Sequence, residues 1–190
     1  SAWKITKSVD KAAIATSGTL VYTITLTNTG SSDLASGTTA KIQELMPNGS
    51  IISAITGTSK IASTGVSCTY NGTAVTPGSS NNTAGDATTP FICTATLNAT
   101  VGATTGTATF TITATAPSVA GSYTNYVSVD PAPNGTNPPT AGSTCTSTTN
   151  GSSNTCASQA ITVSSAWKIT KSVDKTAIAT SGTLVYTITL

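Results

Sequence analysis

Residues 1–26 and 165–190 of this chain are nearly the same sequence. The first copy reads SAWKITKSVDKAAIATSGTLVYTITL, and the second differs only in carrying Thr176 where the first has Ala12. A match of this length at a spacing of 164 residues cannot arise from shared composition. It divides the chain into one full repeat, residues 1–164, and the opening of the next identical repeat, residues 165–190. The expectation is a longer parent protein of tandem units, in which residues 165–190 are the first two strands of the following domain.

Inside the repeat the texture has period two, with Val, Ile and Thr alternating against Ser, Thr and Ala between clusters of Gly, Asn and Pro. This alternation predicts strands at Ala2–Val9, Thr19–Asn28, Thr39–Leu45, Ser50–Thr56, Gly65–Tyr70, Pro90–Leu97, Gly106–Ala116, Gly121–Asp130 and Cys156–Ser164. No stretch has the pattern of a long helix. Asn-Gly pairs beginning at Asn48, Asn71, Asn134 and Asn150 are turn signals, because both residues tolerate positive φ. Many short antiparallel strands of this kind point to an all-β, immunoglobulin-like antiparallel β-sandwich, tandemly repeated.

The residues that are missing restrict function. Thr and Ser supply 43 and 25 of the 190 residues, whereas Lys, Asp and Glu total 14, and Arg and His are absent. Without Arg, and with scattered Lys, the chain has no patch suited to phosphates, so no nucleic-acid partner is expected. Without His it lacks the commonest general base and the commonest transition-metal ligand. Asp10, Asp33, Glu44, Asp86 and Asp130 show neither a paired-carboxylate spacing nor a DxDxD pattern, so no enzyme activity, no cofactor and no metal site are expected. Calcium held by Asp33, Asp86 or Asp130 with loop carbonyls stays open. No apolar run approaches the roughly 20 residues of a membrane helix, which predicts no membrane span or secretion signal in this segment.

The segments ITKSVDKAAIATSGTLVYTITLTNTG at 5–30, IQELMP at 42–47 and YTNYVSV at 123–129 resemble the tandem "conserved repeat domain", an immunoglobulin-like module of bacterial and archaeal cell-surface proteins. The resemblance covers roughly the first 47 residues and the 104–130 region, while the Cys-bearing stretches 60–100 and 140–160 look like insertions. It implies surface stalks, adhesins or sheath material, at an extracellular or cell-surface location and without enzymatic activity.

Four cysteines in a chain of extracellular character predict disulfides. Three pairings exist. Cys68 with Cys93 and Cys145 with Cys156 is favoured, since the first two lie in adjacent predicted strands and the second two flank an Asn-Gly turn. Sequons begin at Asn48, Asn71, Asn81, Asn98, Asn134 and Asn150 and are candidate glycosylation sites, with chance occurrence in a Thr-rich chain the alternative.

Three polar residues fall in phase with apolar ones. Lys7 shares a strand face with Trp3, Ile5 and Val9, Glu44 with Ile42 and Met46, and Asn125 with Val127 and Val129. A buried ammonium needs partners. Lys on a first strand, Asn on a late strand and a nearby carboxylate are the constituents of the spontaneous isopeptide bond of immunoglobulin-like pilin and adhesin domains, so Lys7, Glu44 and Asn125 are the isopeptide candidates. The plainer readings are a Lys7–Glu44 ion pair, or a lysine that snorkels to solvent with its stem packed.

The expected function is a structural one, a filament, stalk or surface fibre whose partners are neighbouring copies of the same repeat. Residues 165–190 either open the next domain or complete another subunit's sheet in trans, as in donor-strand complementation. The alternative is an adhesin that takes a surface or glycan ligand through the Cys-bearing inserts.

Overall fold

A computed structural model describes residues 3–76, 84–145, 155–165 and 167–190. The described residues are all-β. Two sheets, antiparallel except for one parallel edge strand, face each other across one core, and a small third sheet pairs with neither.

The first sheet has the order β1 (Trp3–Val9), β3 (Thr19–Asn28), β9 (Thr107–Thr115) and β5 (Ile51–Ser59). Its alternation sorts side chains sharply. Leu20, Tyr22, Ile24 and Leu26 of β3 and Phe110 and Ile112 of β9 are fully buried. The threonines between them form outward pairs directly across the ladder: Thr19 opposite Thr115, Thr23 opposite Thr111, Thr25 opposite Thr109 and Thr27 opposite Thr107. Such cross-strand pairs are worth roughly 0.2–1 kcal/mol each, which accounts physically for so much threonine in so little charge.

The second sheet has the order β2 (Ala13–Ala15), β11 (Cys156–Ser164), β10 (Gly121–Val129), β4 (Thr39–Leu45), β8 (Phe91–Leu97), β6 (Ile61–Tyr70) and β7 (Thr73–Ala74). The opening segment therefore serves both sheets. β1 pairs with β3, then the chain crosses so that β2 runs parallel to β11, with Ile14 opposite Val163. Beyond β6, Asn71 and Gly72 both take positive φ (48° and 77°), the two-residue turn that matches strand twist and sets Tyr70 opposite Thr73.

Three strands have the expected bounds, Thr19–Asn28, Thr39–Leu45 and Cys156–Ser164. β2 and β7 were not expected, being three and two residues long. β5 and β6 run further than the expected 50–56 and 65–70, because register shifts at Ile52/Ala54, Gly57/Ser59 and Ile61/Val66 carry the pairing through turn-like residues.

Both disulfides belong to the second sheet. Cys68 of β6 lies directly opposite Cys93 of β8 and is bonded to it, 25 residues apart in sequence. Cys145 is bonded to Cys156 at the start of β11, 11 residues apart. Loops of these sizes contribute about 3 kcal/mol each by restricting the unfolded chain.

Residues 167–190 form the third sheet, in which β12 (Thr170–Val173) pairs with β13 (Tyr186–Thr189) and every strand residue is exposed. This hairpin joins neither sheet of the sandwich.

Candidate isopeptide site

β1 carries Trp3 and Ile5 into the core, and the next inward position is Lys7. Its side chain is completely buried and forms an ion pair and hydrogen bond with Glu44 of β4, whose side chain is equally enclosed. Since β1 and β4 lie in opposite sheets, this pair spans the sandwich.

The register around Glu44 assembles the rest. Glu44 stands opposite Val127 of β10 on one side and Phe91 of β8 on the other. Asn125, two residues before Val127, points into the same core and has no exposed surface. It is therefore a diagonal neighbour of Glu44 on one sheet face. Its amide nitrogen donates to Met46 Sδ at 3.3 Å. On the facing sheet, Tyr22 of β3 is opposite Val9, and its ring lies under the Lys7 ammonium, 4.9 Å from the ring centre.

Buried polar groups are nearly always hydrogen-bonded, and this site breaks that rule three times. Glu44 Oε2, Asn125 Oδ1 and the Tyr22 hydroxyl are all buried without a hydrogen-bond partner. The Asn125 amide lies beside the Tyr22 hydroxyl and acts on its titration, although no hydrogen bond of ordinary geometry joins them. A half-turn of the amide about its Cβ–Cγ bond exchanges its oxygen and nitrogen, which gives the Tyr22 O–H an acceptor in Asn125 Oδ1.

Burial pushes the Lys7 amine below the usual lysine range, while the charge and hydrogen bond of Glu44 pull it back up. Burial likewise pushes the Tyr22 phenol up; the neighbouring Asn125 side chain opposes that and the Glu44 carboxylate adds to it. The site thus holds an amine driven toward its neutral, nucleophilic form, a carboxylate that can take its proton, and an amide whose carbonyl is unpaired. Tyr22 is the member that sequence reasoning missed. Its strand phase marks it as core, and only the facing sheet shows that its hydroxyl ends beside Asn125.

The loop acids considered for calcium are each engaged in shaping a loop. Asp86 accepts the backbone N–H groups of Thr88 and Thr89 and the Tyr70 hydroxyl. Asp130 accepts the N–H groups of Ala132 and Asn137, and Asp33 that of Ala103. Among the described residues no three metal-capable side chains lie together. Of the sequon asparagines, Asn48, Asn71, Asn98 and Asn134 are exposed, while Asn81 and Asn150 lie outside the described residues. Asn134 also accepts from the Thr39 N–H at 2.8 Å, which fixes its loop against β4.

No family model matches this sequence, and no curated protein matches it. Among solved structures, the cohesin module of a family 33 glycoside hydrolase from Clostridium perfringens ATCC13124 superposes with a TM-score of 0.51 at 10% identity, covering 86% of this chain and 98% of the module. The chain shares that module's β-sandwich fold. The pilus backbone protein of Streptococcus pneumoniae matches at a TM-score of 0.40 and 18% identity, over 73% of this chain and 34% of that one. The major pilin subunit of Bacillus cereus matches at 0.40 and 10% identity, over 89% of this chain and 42% of that one.

Proposed function

We propose that this chain is a structural unit of an extracellular filament, stalk or surface fibre, an immunoglobulin-like sandwich locked by its disulfides and by a covalent bond between Lys7 and Asn125. The observation that carries the reading is the buried Lys7–Glu44 pair with an unpartnered amide oxygen on the same sheet face. A buried ion pair contributes little net stability over an apolar replacement. A pair of this kind is accounted for more fully as the reactants of a crosslink than as packing.

In the reaction, Glu44 takes a proton from the Lys7 ammonium, leaving a neutral amine. Lys7 Nζ attacks Asn125 Cγ, and the electron pair of the carbonyl moves onto Oδ1, where the Tyr22 hydroxyl donates a hydrogen bond. Glu44 then passes that proton to Nδ2 and takes the second proton from Nζ; the carbonyl re-forms, the Cγ–Nδ2 bond breaks, ammonia leaves, and Glu44 is left protonated. The product is a secondary amide across the sandwich, formed without oxidant or cofactor.

The two disulfides support an oxidising, extracellular setting. The repeated 26 residues support a tandem chain of like units. Sugars on the exposed Asn48, Asn71, Asn98 and Asn134 would solvate a surface with little charge. The spacer reading is favoured over an adhesin because the most exposed aromatics among the described residues, Trp167 and Tyr186, sit on the terminal hairpin instead of the Cys-bearing loops.

Single-molecule pulling from both ends of the protein tests the load-bearing role. Force entering at residue 1 passes through the crosslink, so the segment between Lys7 and Asn125 never lengthens. An extension that includes residues 8–124 would show the unit to be mechanically open.

A further inference from the structure

Asn48, Asn71 and Asn134 are each followed by Gly and then by Ser or Thr, so their local sequences are nearly equivalent and differences in their reactivity come from the fold. An asparagine before a glycine is prone to cyclise. The backbone nitrogen of the glycine attacks the side-chain Cγ, and the missing Cβ of glycine leaves that approach unhindered. The attack needs a glycine N–H that is free to lose its proton and a turn that opens easily.

Two of the three turns meet neither need. At Asn48 the Gly49 N–H donates to Gly85 O at 2.8 Å, the Gly85 N–H returns a bond to Ser50 O at 2.8 Å, and Ser50 is buried. At Asn134 the Gly135 N–H donates to Ala132 O at 3.0 Å, and Asn134 Oδ1 accepts from the N–H and the hydroxyl of Thr39 at 2.8 and 3.1 Å, which ties the side chain to β4.

Asn71 is different. Asn71 and Gly72 are both exposed, and neither the Gly72 N–H nor the Asn71 side chain has a hydrogen-bond partner among the described residues. The strand that follows, β7, has two residues, both exposed, and lies at the edge of the second sheet. A hairpin tip held by so short an edge strand opens at little cost.

We propose that Asn71 is a site of spontaneous main-chain modification, closing a succinimide with Gly72 and opening to an isoaspartyl linkage, ahead of Asn48 and Asn134. Hydroxide takes the Gly72 N–H proton, the nitrogen attacks Asn71 Cγ, and the carbonyl pair moves onto Oδ1. Nδ2 takes a proton from water, the carbonyl re-forms, the Cγ–Nδ2 bond breaks and ammonia leaves. Water then opens the five-membered imide. Addition at the main-chain carbonyl gives the isoaspartyl chain, and addition at Cγ gives aspartate. The isoaspartyl chain runs through Cβ and Cγ, one atom longer than before, and carries a new carboxylate. A two-residue turn has no slack for that atom, so the Tyr70–Thr73 and Thr69–Ala74 pairing is lost and the edge of β6 is bared. A sugar on Nδ2 would block the reaction, and the Lys7–Asn125 crosslink plays no part in it.

Peptide mapping of the full chain, made without N-linked sugar and incubated in mildly alkaline buffer, tests the proposal, with a reduced sample in denaturant alongside. In the native protein, succinimide and isoaspartate at Asn71 are expected to accumulate about fivefold or more faster than at Asn48 or Asn134, the factor that one hydrogen bond on the glycine N–H imposes. In denaturant the three rates converge. The ammonia lost at Asn71 is followed by a gain of water and persists in Lys7→Met, which separates it from the crosslink. A native protein in which Asn71 reacts no faster than Asn48 or Asn134 overturns the proposal, and so does a lead for Asn71 that persists unchanged in denaturant.

Discussion

Glu44→Gln destabilises this protein by about 3–5 kcal/mol when measured by denaturant unfolding in an Asn125→Ala background, where no crosslink contributes. Lys7 has no exposed side-chain surface, and Glu44 is the carboxylate that pairs with it. The substituted glutamine keeps the shape and loses the charge, which leaves an ammonium desolvated and uncompensated. The pH profile identifies the cause. With Glu44 gone, the two influences that raise the Lys7 pKa are removed and burial lowers it unopposed. A lysine that holds its proton less tightly folded than unfolded makes stability rise with pH, from its lowered folded pKa up to the unfolded value near 10.5. Above about pH 10 the slope reverses, because the buried Tyr22 phenol holds its proton past the point at which the unfolded chain releases it. Lys7→Met combined with Glu44→Met recovers most of the loss, since a buried pair replaced by apolar groups of similar size is near neutral. A Glu44→Gln chain of unchanged stability and flat pH profile would mean that the lysine reaches water.

The second large effect is expected at the opposite edge of the first sheet. Gly57→Ala costs about 3 kcal/mol or more, read as a fall in the denaturant midpoint at unchanged slope. β5 and β6 are consecutive yet belong to opposite sheets, so the chain turns the corner of the sandwich at Lys60, which takes a φ of 58°. A Cβ on Gly57 would lie 2.0 Å from Ala62 O and 2.6 Å from Ile61 O. Both are backbone atoms, so relief requires the corner to open and not merely a rotamer change. Opening it also disturbs Phe110, the fully buried residue opposite Gly57 on β9. Gly65→Ala, where the nearest backbone oxygen is 3.0 Å away, is the milder control.

These two sites also mark what alternation could and could not reveal. Along residues 19–26 the threonines face outward, with Val21 in their row, and Leu20, Tyr22, Ile24 and Leu26 face inward, so local sequence sufficed to place the strand, and the same alternation put Lys7, Glu44 and Asn125 in inward phase. Around Gly57 the same reasoning ended one strand at Thr56 and began the next only at Gly65, and Gly57 and Ser59 are residue types common in turns. There the bulges accommodate them within paired strands, a property of the partner β9 and β8 registers. β2 escaped notice for a related reason: three residues, Ala-Ile-Ala, have no period to read, and what makes them a strand is a parallel edge on β11, far along the chain. The Tyr22 hydroxyl was hidden in the same way, since its neighbour Asn125 belongs to the facing sheet.

The crosslink at the centre of this account is tested most directly by the intact mass of the protein before and after reduction, beside Lys7→Met. The account predicts a mass short of one ammonia that survives reduction, with Lys7 joined to Asn125 on peptide mapping and no such species in Lys7→Met. Reduction should restore only the four hydrogens of Cys68–Cys93 and Cys145–Cys156. A mass that differs from the sequence by those hydrogens alone would contradict it, leaving Lys7 and Glu44 an ordinary buried ion pair and the unit held by packing and disulfides.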